Sequence, residues 1–166
     1  MATNEKTLRT LLQKFLDFED AHVGFDAAVA GIPLRLRGKR PAGAPHSPWE
    51  LVEHMRLAQF DILDFCVNPK YKAHRWPDDY WPSSRGPNSD ADWKTSIAQF
   101  RRDRRALQRL AADESLDLAA TIPHGSGQTY LRELVLVADH NAYHVGQLIL
   151  VRQLLGIWKP KTGGAG

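Results

Sequence analysis

Residues 129–156 read TYLRELVLVADHNAYHVGQLILVRQLLG. Thr129 suits a helix N-cap, Gly156 suits the position just past a helix end, and no proline interrupts them, so the stretch predicts a helix over 129–155. Within it, His140 and His144 are four residues apart, which stacks them on one helical face with Cβ atoms about 5–6 Å apart. Leu136, Val137, Leu148 and Val151 share that face, so the two imidazoles are expected to point inward. A buried imidazole has two ring nitrogens to satisfy. Two at this spacing can grip one transition metal at about 2.0–2.1 Å per nitrogen. The competing reading is a pair of core histidines held by polar neighbours. Asn141 stands where the HExxH pattern needs its glutamate base, which excludes a metallopeptidase of that type.

Working outward, three further segments carry helical signals. Ser47-Pro48-Trp49-Glu50 combines an N-cap serine, a proline at the first helical position and a capping-box glutamate, and predicts a helix over about 47–66. A third helix is predicted over about 89–112, with Ser89 and Asp92 as a capping pair and Trp93, Ile97, Phe100, Leu107 and Ala111 as its inward seam. A first helix is predicted over about 5–30 from Leu8, Leu12, Phe15, Phe18, His22 and Phe25 at steps of three and four, ending at Gly31 and Pro33. Nothing reads as a strand. Four long amphipathic helices in a single domain spanning residues 1–166 point to an all-α four-helix bundle. The stretches between helices, 31–46, 68–89 and 113–128, exceed the usual ~2–8 residues between bundle neighbours, so long crossover connections are expected. The middle one, NPKYKAHRWPDDYWPSSRGPNS, is too aromatic for a free tether and is expected to pack across the body, with Trp76, Tyr80 and Trp81 as lid or plug.

With 166 residues, 43% of them apolar and 25% charged, the chain has the composition of a globular domain. A lone cysteine, Cys66, rules out an intrachain disulfide framework and fits a reducing, cytoplasmic setting. The start, MATNEKTLRT, has no apolar core of a secretory signal. No apolar run approaches the ~20 residues of a membrane span, so no membrane partner is expected. The formal charge of +3 is a mild basic excess. Its densest run, Arg101-Arg102-Asp103-Arg104-Arg105, spreads around a helix axis and is broken by an aspartate. A solvated helix face is therefore expected in preference to nucleic acid binding.

The seven histidines are the less ordinary number. His54 lies in the second helix among Leu51, Leu57 and Ala58, and as a second inward histidine it offers a third ligand beside His140 and His144. Three imidazoles leave coordination positions open, as in catalytic rather than closed structural sites. Other residues carry weaker signals. Asp61, two turns beyond His54, is a candidate general base or orienting group. Arg104 interrupts the seam of its helix and is a candidate anion-binding group, against snorkelling or an internal carboxylate partner. His124, in a glycine-flanked connector, is a candidate fourth ligand or substrate contact. Asn141 and Gln147 flank the histidine face and could orient an imidazole. His22 reads as a core or rim residue, and His46 and His74 carry no signal.

SPWELVEHMRLAQFDILDF (47–65), PDDYWP (77–82) and above all GQTYLRELVLVADHNAYHVGQL (127–148) resemble the DinB-like superfamily, over about Leu8 to Trp158. The resemblance implies a four-helix bundle, often a homodimer, and a divalent metal on three histidines that fall here on His54, His140 and His144. It also implies thiol-dependent transferase or isomerase chemistry on small electrophiles. The expectation is a metal-dependent enzyme acting on a small molecule by thiol transfer or hydrolysis, with zinc or nickel as the metal and a low-molecular-weight thiol as a possible partner. The alternative is a non-catalytic, stress-associated metal-binding or dimerisation module.

Overall fold

A computed structural model describes residues 2–17 and 21–159. Its elements are α1 (Ala2–Phe15), α2 (Phe25–Val29), α3 (Leu34–Arg37), α4 (Pro48–Val67), a 3₁₀ turn (Asp78–Tyr80), α5 (Asp90–Ala112) and α6 (Tyr130–Leu154). Among the described residues the one extended pairing is an isolated bridge between Thr121 and Thr129. The fold is all-α, and α1, α4, α5 and α6 are its four long helices.

Capping chemistry sets where the last three helices begin. The Ser47 hydroxyl accepts from the Glu50 amide at 3.2 Å, and the Ser47 amide donates back to the Glu50 carboxylate at 2.8 Å. Ser89 and Thr129 cap α5 and α6 by accepting from the amides of Asp92 and Arg132. The first predicted helix is shorter than expected. It stops at Phe15, and a separate short α2 starts at Phe25 behind the extended Gly24. The regular spacing across residues 15–25 joins side chains that belong to different elements. Phe25 leaves the line to stack on Phe100, with ring centroids 3.8 Å apart. Phe15, expected inward, is exposed, while Arg9 and Leu12 of α1 and Leu16 just past its end are buried. Phe18 lies outside the described residues.

Cross-helix contacts give the directions of the bundle. Trp49 packs near Trp93, and Gln59 donates to the Phe100 carbonyl, so α4 and α5 run parallel. Asn141 donates to Gln59 while His144 meets His54, so α6 runs antiparallel to α4. Arg9 reaches the Ala111 carbonyl and Gln108 reaches that of Gln13, so α1 runs antiparallel to α5. Two apolar clusters fill the interior. One surrounds Phe25, Trp49, Met55, Phe100 and Leu148, and the other Leu12, Ile62, Leu107, Leu134 and Val137.

Because α4 and α5 are parallel neighbours, the segment between them must return along the bundle. α4 has 20 residues, a length of about 30 Å. Residues 68–89 make that journey in contact with the bundle. Tyr71 bonds Asp61, Tyr80 touches both Asp61 and His54, Trp81 lies on His54, and the Arg85 carbonyl accepts from the Ser47 hydroxyl. At the top, a Cβ on Gly38 would stand 2.8 Å from the Cα of Gly86, so the two backbones meet at a distance only glycine allows.

Arg9 closes the opposite end. Its guanidinium is buried and donates to the carbonyls of Ala111, Asp113 and Leu116, where the end of α5 leaves acceptors unpaired. Arg9→Met keeps the apolar stem and strands these acceptors. It is expected to lower unfolding stability by about 2 kcal/mol, read as a lower urea midpoint with an unchanged slope.

Candidate metal centre

His54 from α4 and His140 and His144 from α6 come together midway along the bundle, and one ring nitrogen from each lies within 4.8 Å of the other two. His54 Nε2 stands 3.1 Å from His144 Nε2 and 3.0 Å from His140 Nε2. The antiparallel pairing of α4 and α6 accounts for the convergence. The i, i+4 pair on α6 presents two rings one turn apart, and His54 projects between them from the facing helix.

The far nitrogens of two rings are committed. His54 Nδ1 donates to the Tyr80 carbonyl at 2.8 Å, since a carbonyl can only accept. His144 Nδ1 donates to Gln147 Oε1 at 2.8 Å. Both rings therefore carry their proton on Nδ1 and turn an Nε2 lone pair toward the centre. His140 Nδ1 is buried with no hydrogen-bond partner. His140 can donate a proton to His54, but the His54–His144 contact remains two lone pairs facing each other.

A neutral interior offers no proton to relieve that contact. Burial pushes His54 down to about 4 despite the Tyr80 carbonyl, with His144 and His46 adding repulsion. Burial, reinforced by His144 and His54, pushes His140 down to about 4 as well. His144 is lowered by burial too. At neutral pH all three rings are uncharged, the form a metal requires. Two nitrogens held at 2.0–2.1 Å with a tetrahedral angle stand about 3.3 Å apart, close to the separations seen here. The donor set fits a divalent transition metal.

The surroundings are aromatic. Trp81 stacks on His54 at 3.9 Å with the planes 2° apart, and His46 stacks on the other face of Trp81 at 4.1 Å. Trp76 stands over the site at 6.4 Å from the His54 ring and is 70% exposed. His46, which the sequence left without a role, thus belongs to a His46–Trp81–His54 stack. Nothing in its loop context marks it. The Tyr80 carbonyl is equally hidden in sequence, because a backbone acceptor has no residue signature.

The weaker candidates fall elsewhere. The Asp61 carboxylate accepts from Tyr71 at 2.8 Å and from Tyr80 at 2.6 Å. Arg104 is buried and takes the internal carboxylate option, pairing with Asp17 at 2.5 Å and Asp26 at 2.8 Å. His124 lies at the end of α4, away from the histidine cluster, where its Nε2 donates to the Phe65 carbonyl at 2.7 Å. Gln147 orients His144, whereas Asn141 turns to Gln59. His22 is exposed, with its Nδ1 3.0 Å from the Val23 carbonyl.

A parallel-paired four-helix bundle with three histidines converging from two of its helices defines the class of protein. The family model described as the DinB superfamily matches residues 17–148, and the chain belongs to that superfamily. Searches of curated proteins and of solved structures returned no match.

The buried histidines make metal-free stability depend on pH. Their ordinary value is 6.5, and two fall to about 4 in the folded protein. Between those limits the unfolded chain binds protons that the folded chain does not, so stability falls as pH drops from about 6.5 to about 4. Urea midpoints across that window are expected to decline, and His140→Leu is expected to flatten the decline.

Proposed function

We propose that this protein is a metal-dependent enzyme acting on a small molecule, with His54, His140 and His144 holding a divalent ion, zinc or nickel by preference. The supporting observation is the convergence of three neutral imidazoles, two of which, His54 and His144, direct their protons away from the centre. A divalent ion there supplies Lewis acidity, which lowers the pKa of a thiol or water that it binds. The chain's own part is to hold His54 and His144 as their Nδ1–H tautomers and to shield one side with Trp81 and His46.

Within the thiol-transfer reading, one observation points to an external thiol. Cys66 is buried and its thiol is pushed up to about 12 by burial and by Glu133. A thiol that stays protonated at neutral pH is a poor nucleophile. The reacting sulfur of a transferase would therefore come from a low-molecular-weight thiol.

The homodimer remains a proposal. Leu8, Leu11, Phe15 and Val135 are exposed along α1 and α6 and line a groove of about 400 Å³. An apolar strip of this kind also suits the rival reading, a non-catalytic module whose helical face serves association. Among the described residues no helix is long and apolar enough to cross a membrane. A cytoplasmic location, suggested by the lone cysteine, belongs to the same proposal.

Purified protein loaded with Zn²⁺ or Co²⁺ is expected to hold one ion per chain, and His144→Ala to lose it. Added low-molecular-weight thiol is expected to shift the visible spectrum of the Co²⁺ form. Absence of stoichiometric metal in wild type after loading would remove the enzyme reading, while metal without a thiol response would leave hydrolysis.

A further inference from the structure

Tyr80 touches α4 at two places. Its backbone carbonyl accepts from His54 Nδ1 at 2.8 Å, and its phenol donates to Asp61 Oδ2 at 2.6 Å. His54 and Asp61 are seven residues apart, two helical turns or about 10 Å along the axis. One residue of the crossover segment therefore spans that length, with its side chain fixed at one end and its main chain at the other. The next residue, Trp81, lies flat on the His54 ring.

Asp61 is placed to anchor and not to act as a base. It is 8% exposed, and each carboxylate oxygen takes a phenol proton, Oδ1 from Tyr71 and Oδ2 from Tyr80. His74 Nε2 lies 3.8 Å from Oδ1. Hydrogen bonds to an ionised carboxylate are among the stronger ones in proteins. The Asp61–Tyr80 bond fixes the very residue whose carbonyl sets the tautomer of His54.

We propose that Asp61 is a positioning residue for the three-histidine centre, acting through Tyr80: it holds the Tyr80 carbonyl against His54 Nδ1 and thereby aims the His54 Nε2 lone pair at the other two rings. The proposal rests on reading the cluster as a metal centre. Tyr71 bonds the same carboxylate but contributes no atom to His54, and it supplies the control. A general loosening of the crossover segment would follow from losing either phenol, whereas loss of aim follows from losing that of Tyr80.

The test compares Tyr80→Phe, Tyr71→Phe and Asp61→Ala in the full chain, with Co²⁺ and Zn²⁺ as probes. Removing a group that orients a histidine ligand commonly weakens metal binding about 10–100-fold. Tyr80→Phe is expected to raise the Co²⁺ dissociation constant about tenfold, and Tyr71→Phe to change it by less than about twofold. Asp61→Ala is expected to match Tyr80→Phe, with the double variant no weaker than either single, since both remove one linkage. Should Asp61→Ala not fold, the two tyrosine variants decide.

A second readout needs no metal. Long-range ¹H–¹⁵N NMR of the metal-free protein is expected to show His54 as the Nδ1–H tautomer in wild type and in Tyr71→Phe. In Tyr80→Phe it is expected to show a mixture. Equal losses of metal affinity in both tyrosine variants, or an unchanged His54 tautomer in Tyr80→Phe, would overturn the proposal. If wild type binds neither ion, the functional reading fails separately and the tautomer measurement still decides the role of Asp61.

Discussion

The parallel run of α4 and α5 is the constraint on which the rest of the molecule depends. Neighbouring parallel helices cannot be joined by a short turn, so the chain must travel back along the full length of α4 before α5 can start. A segment making that journey in solvent would leave its backbone groups dependent on water and its own ordering unrewarded. Here it is laid against α4 by Tyr71, Tyr80, Trp81 and Arg85 in turn. It passes the midpoint of α4 where His54 projects. The crossover that the topology demands is also the source of the carbonyl and the indole that fix His54.

Burying three imidazoles within hydrogen-bond distance of one another is unfavourable for a helical bundle left to itself. The low dielectric keeps the rings neutral, and neutrality leaves at least one pair of lone pairs opposed. Apolar side chains of similar volume would pack there without that penalty. The arrangement makes physical sense when a cation completes it, because the features that cost stability in its absence are those that ligation needs. Sites of this kind are where a sequence departs from the fold's own optimum.

Much of this was legible in the residues, for identifiable reasons. The caps at Ser47, Ser89 and Thr129 act locally, through side chains reaching amides three residues on, so sequence shows them directly. The i, i+4 histidines are legible on the same ground. The break after α1 was hidden because Phe15 and Phe25 fall on a helical spacing by coincidence, and only the stacking of Phe25 on Phe100 reveals that the chain has turned. His46 and the Tyr80 carbonyl were hidden because their roles arise from contacts across the bundle. Asp61 was visible as a carboxylate two turns from His54, but its two phenol partners come from a segment whose path no local pattern encodes.

The arginines show how composition changes meaning once the fold is known. Arg9 binds three carbonyls around the end of α5, Arg152 binds those of Ala27 and Ala28 at the end of α2, and Arg104 joins Asp17 and Asp26. Each ties one helix of the bundle to another part of the chain, Arg9 and Arg152 by filling carbonyls at helix ends and Arg104 by pairing with two carboxylates. Arg101 shares Asp26, and Arg102 pairs with Asp103. A guanidinium suits this work because its planar fork keeps its charge when buried and offers several donors at once. These arginines are engaged within the molecule, in closing helix ends and pairing with carboxylates.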